Sequence, residues 1–153
     1  MDVRLVNPFI NATINVLETM AFITVEPGKP YLKKESVAVG DVTGVMGLTG
    51  IANGTIAVTF EEECILTVVS NMFGATMKEL NSEIADAVGE LTNMISGQAR
   101  KELGEMGKVF KAAIPSVITG RNHSVIHYTE GPKIAIPFDT ENGAFTIEVC
   151  FGR

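Results

Sequence analysis

A carboxylate and a carboxamide three residues apart, Glu90 and Asn93, are the residues whose types and spacing best suit chemistry at a protein surface. Positions i and i+3 are neighbours on a helix. The two side chains would therefore stand together, one an anion that grips a cation, the other a neutral amide that donates and accepts hydrogen bonds. The chain holds 14 glutamates and nine asparagines, so chance supplies about one Glu-x-x-Asn, and this is the one that occurs. Spacing alone thus reads more readily as a solvated polar face. Other reactive residue types form weaker patterns. His123 and His127 are four apart, but no carboxylate or cysteine completes a ligand set, and they read as an incidental pair. Glu61, Glu62 and Glu63 read as acids at a helix N-terminus, where the macrodipole favours them, with a metal site as the lesser alternative. There is no Ser-His-Asp order, nucleophile elbow, phosphate loop or dinucleotide fingerprint.

The element that positions Glu90 and Asn93 is a long helix, predicted from about Glu79 or Ser82 to about Met106 and ended by Gly104 and Gly107. At about 100° per residue, Leu80, Ile84, Val88, Leu91, Ile95, Gln98 and Met106 share a core face. Glu83, Asp86, Glu90, Asn93, Gly97, Lys101 and Gly104 share the opposite face. Asp86, Gly97 and Lys101 could touch a partner or be ordinary solvated positions. Helix-interior glycines cost about 0.5–1 kcal/mol each relative to alanine. Gly89 therefore calls for a reason, either close approach of another surface or close packing on the chain's own sheet.

Around this helix the pattern predicts another helix over residues 3–22, broken by Glu26-Pro27-Gly28-Lys29-Pro30. Strands follow over 36–60, with a hairpin at Asn53-Gly54, then a helix from the three glutamates to Gly74. After the long helix, Ser116–Thr119, Lys133–Asp139 and Ala144–Phe151 are strand-like, with a second hairpin signal at Asn142-Gly143. The order predicts one α/β (α+β) domain over 1–153, a mainly antiparallel sheet with helices packed on it.

With 153 residues, 46% hydrophobic and 20% charged, the chain has the mix of a folded domain and not of a disordered one. A net charge of −6 lacks the basic footprint a nucleic-acid binder needs. No apolar stretch approaches the roughly 18 residues of a membrane span, and no secretory leader is evident. Cys64 and Cys150 are too far apart for a metal motif and read as reduced thiols. A cytoplasmic address is the expectation.

The stretch Glu90-Leu91-Thr92-Asn93-Met94-Ile95-Ser96-Gly97 closely resembles the ExxNMxxG signature of the CheX, CheC and FliY chemotaxis phosphatases. The first helix, Gly47-Leu48-Thr49-Gly50 with Gly54 to Phe60, and Ile114 to Arg121 resemble further family segments, so the resemblance covers nearly the whole chain. A single motif resembles CheX more than CheC, whose members carry two. The first helix offers only Asn11 and Asn15, with no glutamate three residues before either.

The resemblance implies a CheC/CheX-like fold with the ExxN helix exposed, and homodimers formed through sheet edges. It implies a substrate, the aspartyl phosphate of a CheY-like response-regulator receiver domain. Asn93 would orient the attacking water and Glu90 would dock on the receiver's lysine. No metal or cofactor is implied in this chain; the divalent metal, magnesium by expectation, is the receiver's. A non-catalytic adaptor for phosphorylated receiver domains and a flagellar-switch-related structural part stay open as other classes of function.

Overall fold

The structure, a computed structural model, describes residues 3–125, 127 and 130–152. A 3₁₀ turn at Val3–Leu5 leads into α1 (Asn7–Ala21), followed by β1 (Glu26–Pro27), β2 (Tyr31–Lys33), β3 (Val42–Gly50) and β4 (Gly54–Phe60). Then come α2 (Glu62–Phe73), α3 (Ser82–Glu105), β5 (Phe110–Ala112), β6 (Ser116–Thr119), β7 (Lys133–Thr140) and β8 (Gly143–Phe151). The strands form one sheet in the order β1-β7-β8-β4-β3-β5, with β2 also on β7 and β6 also on β3. Every pairing is antiparallel.

Side chains alternate between the two faces of a strand, and the faces here differ in kind. Val42, Met46, Leu48, Ile56, Val58, Phe60, Ile136, Phe138, Phe145, Ile147, Val149 and Phe151 belong to one large core with the helices. Phe9 of α1 and Phe110 lie against Phe151, with ring centroids 6.1 and 5.2 Å away. The intervening residues are small or polar: Thr43, Val45, Thr55, Ala57, Thr59, Ala135, Thr146 and Glu148. Among the described residues no helix covers this second face. Residues 36–38 and 123–125 lie over it, tied by Ala38 N–H to His123 O (2.9 Å) and Val125 N–H to Ser36 O (2.7 Å), with Ala38 and Val125 packed on Val45 and Ala57.

Several elements differ from the sequence reading. The strand predicted from residue 36 starts at Val42, because the preceding segment is the second-face cover. There Val37 makes one bridge to Ser124, and Val39 is exposed. The first helix ends at Ala21, where Phe22 turns left-handed (φ 56°), before the predicted breaker is reached; Glu26–Pro27 and Tyr31–Lys33 are short edge strands on β7. The Asn53-Gly54 hairpin exists, yet Leu48 pairs with Gly54, so the connection runs over residues 49–53 instead of a two-residue turn. Thr49 and Gly50 pair with β5 instead. At the other hairpin Thr140 pairs with Gly143, whose φ of 103° is one a glycine accepts freely. Glu62 and Glu63 occupy the first turn of α2 as expected, while Asp41 caps it through Glu62 N–H (2.8 Å). Glu61 instead binds Ala144 N–H (2.6 Å), joining α2 to β8.

The second face holds a buried charge cluster. Glu148 accepts from Lys33 Nζ at 2.7 Å and from His127 Nε2 at 3.1 Å, with all three side chains at most 5% exposed. Burial alone would push the Glu148 carboxyl up, but the bonds from His127 and Lys33 outweigh it and hold the group below the usual carboxylate range. A carboxylate thus does reach one of the two histidines. They are not a pair, however: His123 contacts Thr43 Oγ1 (2.5 Å) and the Gly120 carbonyl.

The helix and sheet layers approach closely at Gly44. A Cβ there would overlap Thr92 Oγ1 of α3 and lie 3.1 Å from Thr92 Cβ and 3.3 Å from Val88 Cγ1. Thr92 is fully buried and its hydroxyl donates to Val88 O (2.7 Å), so it has little freedom to yield. Gly44→Ala should therefore cost about 1–3 kcal/mol of stability by overpacking, and Thr92→Ala in the same chain should recover part of it, read by urea unfolding. Lys33→Met should cost about 3–5 kcal/mol at about pH 7 by leaving Glu148 buried without its cation. Because the folded-state pKa of Glu148 is depressed, its contribution is present above the ordinary carboxylate range and lost as pH falls through the folded value. The gap between parent and variant should narrow when unfolding is repeated at about pH 3.

Candidate functional site on the exposed face of the long helix

Helix α3 starts where the Asn81 side chain accepts from Ile84 N–H (3.1 Å). It ends before Gly107, whose φ of 80° lets the chain turn away while Lys108 N–H returns to Leu103 O (2.8 Å). Ile84, Val88, Leu91 and Ile95 are buried as the periodicity predicts. Met106 is not: it lies past the last helical residue and is 43% exposed. Gln98 sits in the seam with α1, where Asn15 Nδ2 donates to it at 2.7 Å and Asn11 Nδ2 donates to Glu102 at 3.2 Å. Sequence reasoning missed a buried polar strip of Thr92 and Ser96. Ser96 Oγ accepts from Arg100 Nε (3.1 Å). The glycine at position 44 was the signal, since a threonine can only meet a strand so closely where the strand lacks a side chain.

With two sides held, the third faces out. Glu83, Asp86, Glu90, Asn93 and Lys101 are exposed and Gly97 is half-buried. Among the described residues, no side chain or backbone group hydrogen-bonds or ion-pairs with the side chains of Asp86, Glu90, Asn93 or Lys101. Glu90 and Asn93 therefore present their full bonding capacity outward. The carboxamide is neutral at every relevant pH and cannot act as a general base, but its oxygen can hold a water in a fixed direction. The carboxylate can pair with an incoming cation.

Two shallow grooves flank this ridge. One, of about 330 Å³, is lined by Met72 and Phe73 of α2 with Glu83, Asp86, Ala87 and Glu90. The other, also about 330 Å³, is lined by Pro115 and Val117 with Ala85, Asp86, Gly89, Glu90 and Asn93. Asp86, Glu90 and Asn93 thus share one locale, while Gly97 and Lys101 extend the same helix face beyond it. Gly89 forms the floor of the second groove. A Cβ there would be 3.5 Å from Val117 and 3.9 Å from Pro115, ordinary contact distances, so packing on the sheet does not require glycine. Among the described residues no group of three His, Cys, Asp or Glu could hold a metal ion. Cys64 on α2 and Cys150 on β8 are buried away from the ridge, and burial pushes the Cys64 thiol up to about 12.

Residues 42–139, which include the whole ridge, match the family model described as chemotaxis phosphatase CheX. The chain belongs to the CheX family. It is 32% identical over 123 residues, 80% of this chain and 79% of the other, to the CheY-P phosphatase CheX of Thermotoga maritima. A CheX crystal structure from Desulfovibrio desulfuricans superposes with a TM-score of 0.90 at 52% identity, covering 97% of this chain and 99% of that one. A CheX-CheY-BeF3-Mg2+ complex from Borrelia burgdorferi shares the fold, with a TM-score of 0.83 at 24% identity over 99% and 100% of the two chains. The family assignment made from the ExxN stretch thus agrees with the match, and so does the fold class.

Gly89→Ala should fit without displacing Val117 or Pro115. By helix propensity it should raise stability by up to about 1 kcal/mol, visible as a higher urea midpoint at unchanged slope.

Proposed function

We propose that this CheX-family chain hydrolyses the aspartyl phosphate of a CheY-like response-regulator receiver domain, with Asn93 orienting the attacking water and Glu90 docking on the receiver's lysine. The observation that carries the reading is the pair itself. Glu90 and Asn93 stand side by side, exposed and without partners among the described residues, on a helix whose other faces are locked into the core. The activity in the name of the Thermotoga relative, and the CheY present in the Borrelia complex, supply the substrate class.

An acyl phosphate is already activated, so positioning is most of the task. The Asn93 amide oxygen accepts a hydrogen bond from water and turns its lone pair toward phosphorus. The water oxygen bonds to phosphorus as the bond from phosphorus to the aspartyl oxygen breaks. The electron pair leaves with the aspartate carboxylate, and the water's proton goes to the phosphoryl oxygens, since the amide cannot take it. The receiver's own divalent ion, magnesium by expectation, and its lysine offset charge on the phosphoryl group, and Glu90 pairs with that lysine. Asp86 lies within reach of the same partner, and Gly97 and Lys101 sit farther along the ridge as outer contacts.

The reading extends to two further points. A receiver-domain substrate implies a cytoplasmic protein, and no described helix is long and apolar enough to cross a membrane. A homodimer through a sheet edge fits the β5 end, where the outer edge of β5 is unpaired among the described residues and Ile51, Val109 and Ile114 are 59%, 63% and 90% exposed. Light scattering after gel filtration would read a monomer mass if that is wrong.

The test is the loss of phosphate from CheY-like receiver domains of the same organism, labelled with acetyl phosphate. Parent protein should accelerate it. Asn93→Ala should slow turnover about 10²-fold or more, and Glu90→Ala should mainly raise KM. Binding without acceleration would instead make the chain an adaptor.

A further inference from the structure

The groove on the α2 side of the ridge has a composition that hydrolysis alone does not call for. Phe73 is 50% exposed, lies outside the core and makes no ring contact among the described residues. Its backbone is nevertheless pinned. Gly74, at φ 67°, donates to Ser70 O (2.9 Å), Met77 N–H donates to Ser70 Oγ (2.8 Å), and Asn71 Nδ2 donates to Ala21 O (2.8 Å). A half-exposed aromatic ring on a fixed stretch of backbone is the kind of residue that dominates protein interfaces, because it has only two side-chain torsions to lose when it is covered. Across the groove stand Glu83, Asp86 and Glu90, three carboxylates with no cation paired to any of them among the described residues. Glu90 and Asp86 also line the Asn93 groove, so the apolar groove is continuous with the reacting face.

We infer that the groove between Phe73 and Glu83–Asp86 is a second contact for the phosphorylated partner, one that receives an apolar side chain flanked by lysine or arginine and so sets which receiver domain is bound. This rests on the reading of α3 as the partner-facing helix. Apolar contact there supplies affinity, while the carboxylates favour cationic partners and speed encounter. Neither touches the water or the phosphorus. The groove should therefore act on KM and leave kcat alone, the reverse of Asn93.

Steady-state dephosphorylation of the acetyl-phosphate-labelled receiver domain separates the two. Phe73→Ser should raise KM about tenfold, the usual loss for an interface aromatic, with kcat unchanged and far-ultraviolet circular dichroism as in the parent. Glu83→Gln with Asp86→Asn should raise KM at low salt and flatten its salt dependence. A photo-crosslinking benzoylphenylalanine at position 73 should capture the labelled receiver, which keeps the idea testable if the serine variant folds poorly. An unchanged KM with no cross-link, while Asn93→Ala still loses turnover, would sink the groove and leave the reading of α3 standing. Normal activity in both Phe73→Ser and Asn93→Ala would remove the two together.

Discussion

The contact between Gly44 and Thr92 is the constraint on which the exposed face depends. A helix lying on a sheet can roll about its axis unless something indexes its rotation. Here a threonine enters the space left by a missing side chain in the middle of β3, and its hydroxyl is turned back onto Val88. Thr92 is adjacent in sequence to Asn93, so fixing one inward aims the other outward. The α1 seam, through Asn11 and Asn15, holds the later turns in the same rotation. Asn81 and Gly107 bound the helix at its ends, so its length on the sheet is set as well.

The helix was legible because its periodicity runs for more than six turns, with Ile84, Val88, Leu91 and Ile95 on one stripe before Gln98 and Glu102 break it. The long strands were legible because β-branched runs bounded by glycine have few other uses. The short edge strands were not. Glu26-Pro27 and Tyr31–Lys33 carry a proline, charges and two exposed apolar residues, and they are strands only because β7 offers them an edge. Val37 and Val39 misled for the opposite reason: they are exposed on either side of Ala38, which packs on the second face, and Val37 makes one bridge instead of a ladder. Asn53-Gly54 signalled a hairpin correctly and its turn wrongly, because β5 competes for Thr49 and Gly50. At the site, Glu90, Asn93 and Asp86 could be placed on one face from spacing. The grooves could not, since Phe73, Pro115 and Val117 come from elements whose distance from α3 no local pattern encodes.

The two faces of the sheet divide the labour of folding. The helix face is apolar throughout and carries the large aromatic residues. The other face is mostly threonine, alanine and valine beneath a thin cover, with a buried carboxylate, Glu148, held by Lys33 and His127. That cluster joins Lys33 of β2 and His127 to the middle of the sheet by charge. It lies on the far side of the sheet from the ridge, and stability and surface chemistry can change there independently.

The asparagines of α1 have one more implication. In a two-motif relative, a second helix would offer a second reacting face. Here both asparagines of the corresponding helix are spent on Glu102 and Gln98, inside the chain. On the proposed reading, α1 therefore offers no second pair of this kind, and saturation should come at one partner per chain. A dimer would double the number of surfaces without making any chain bivalent.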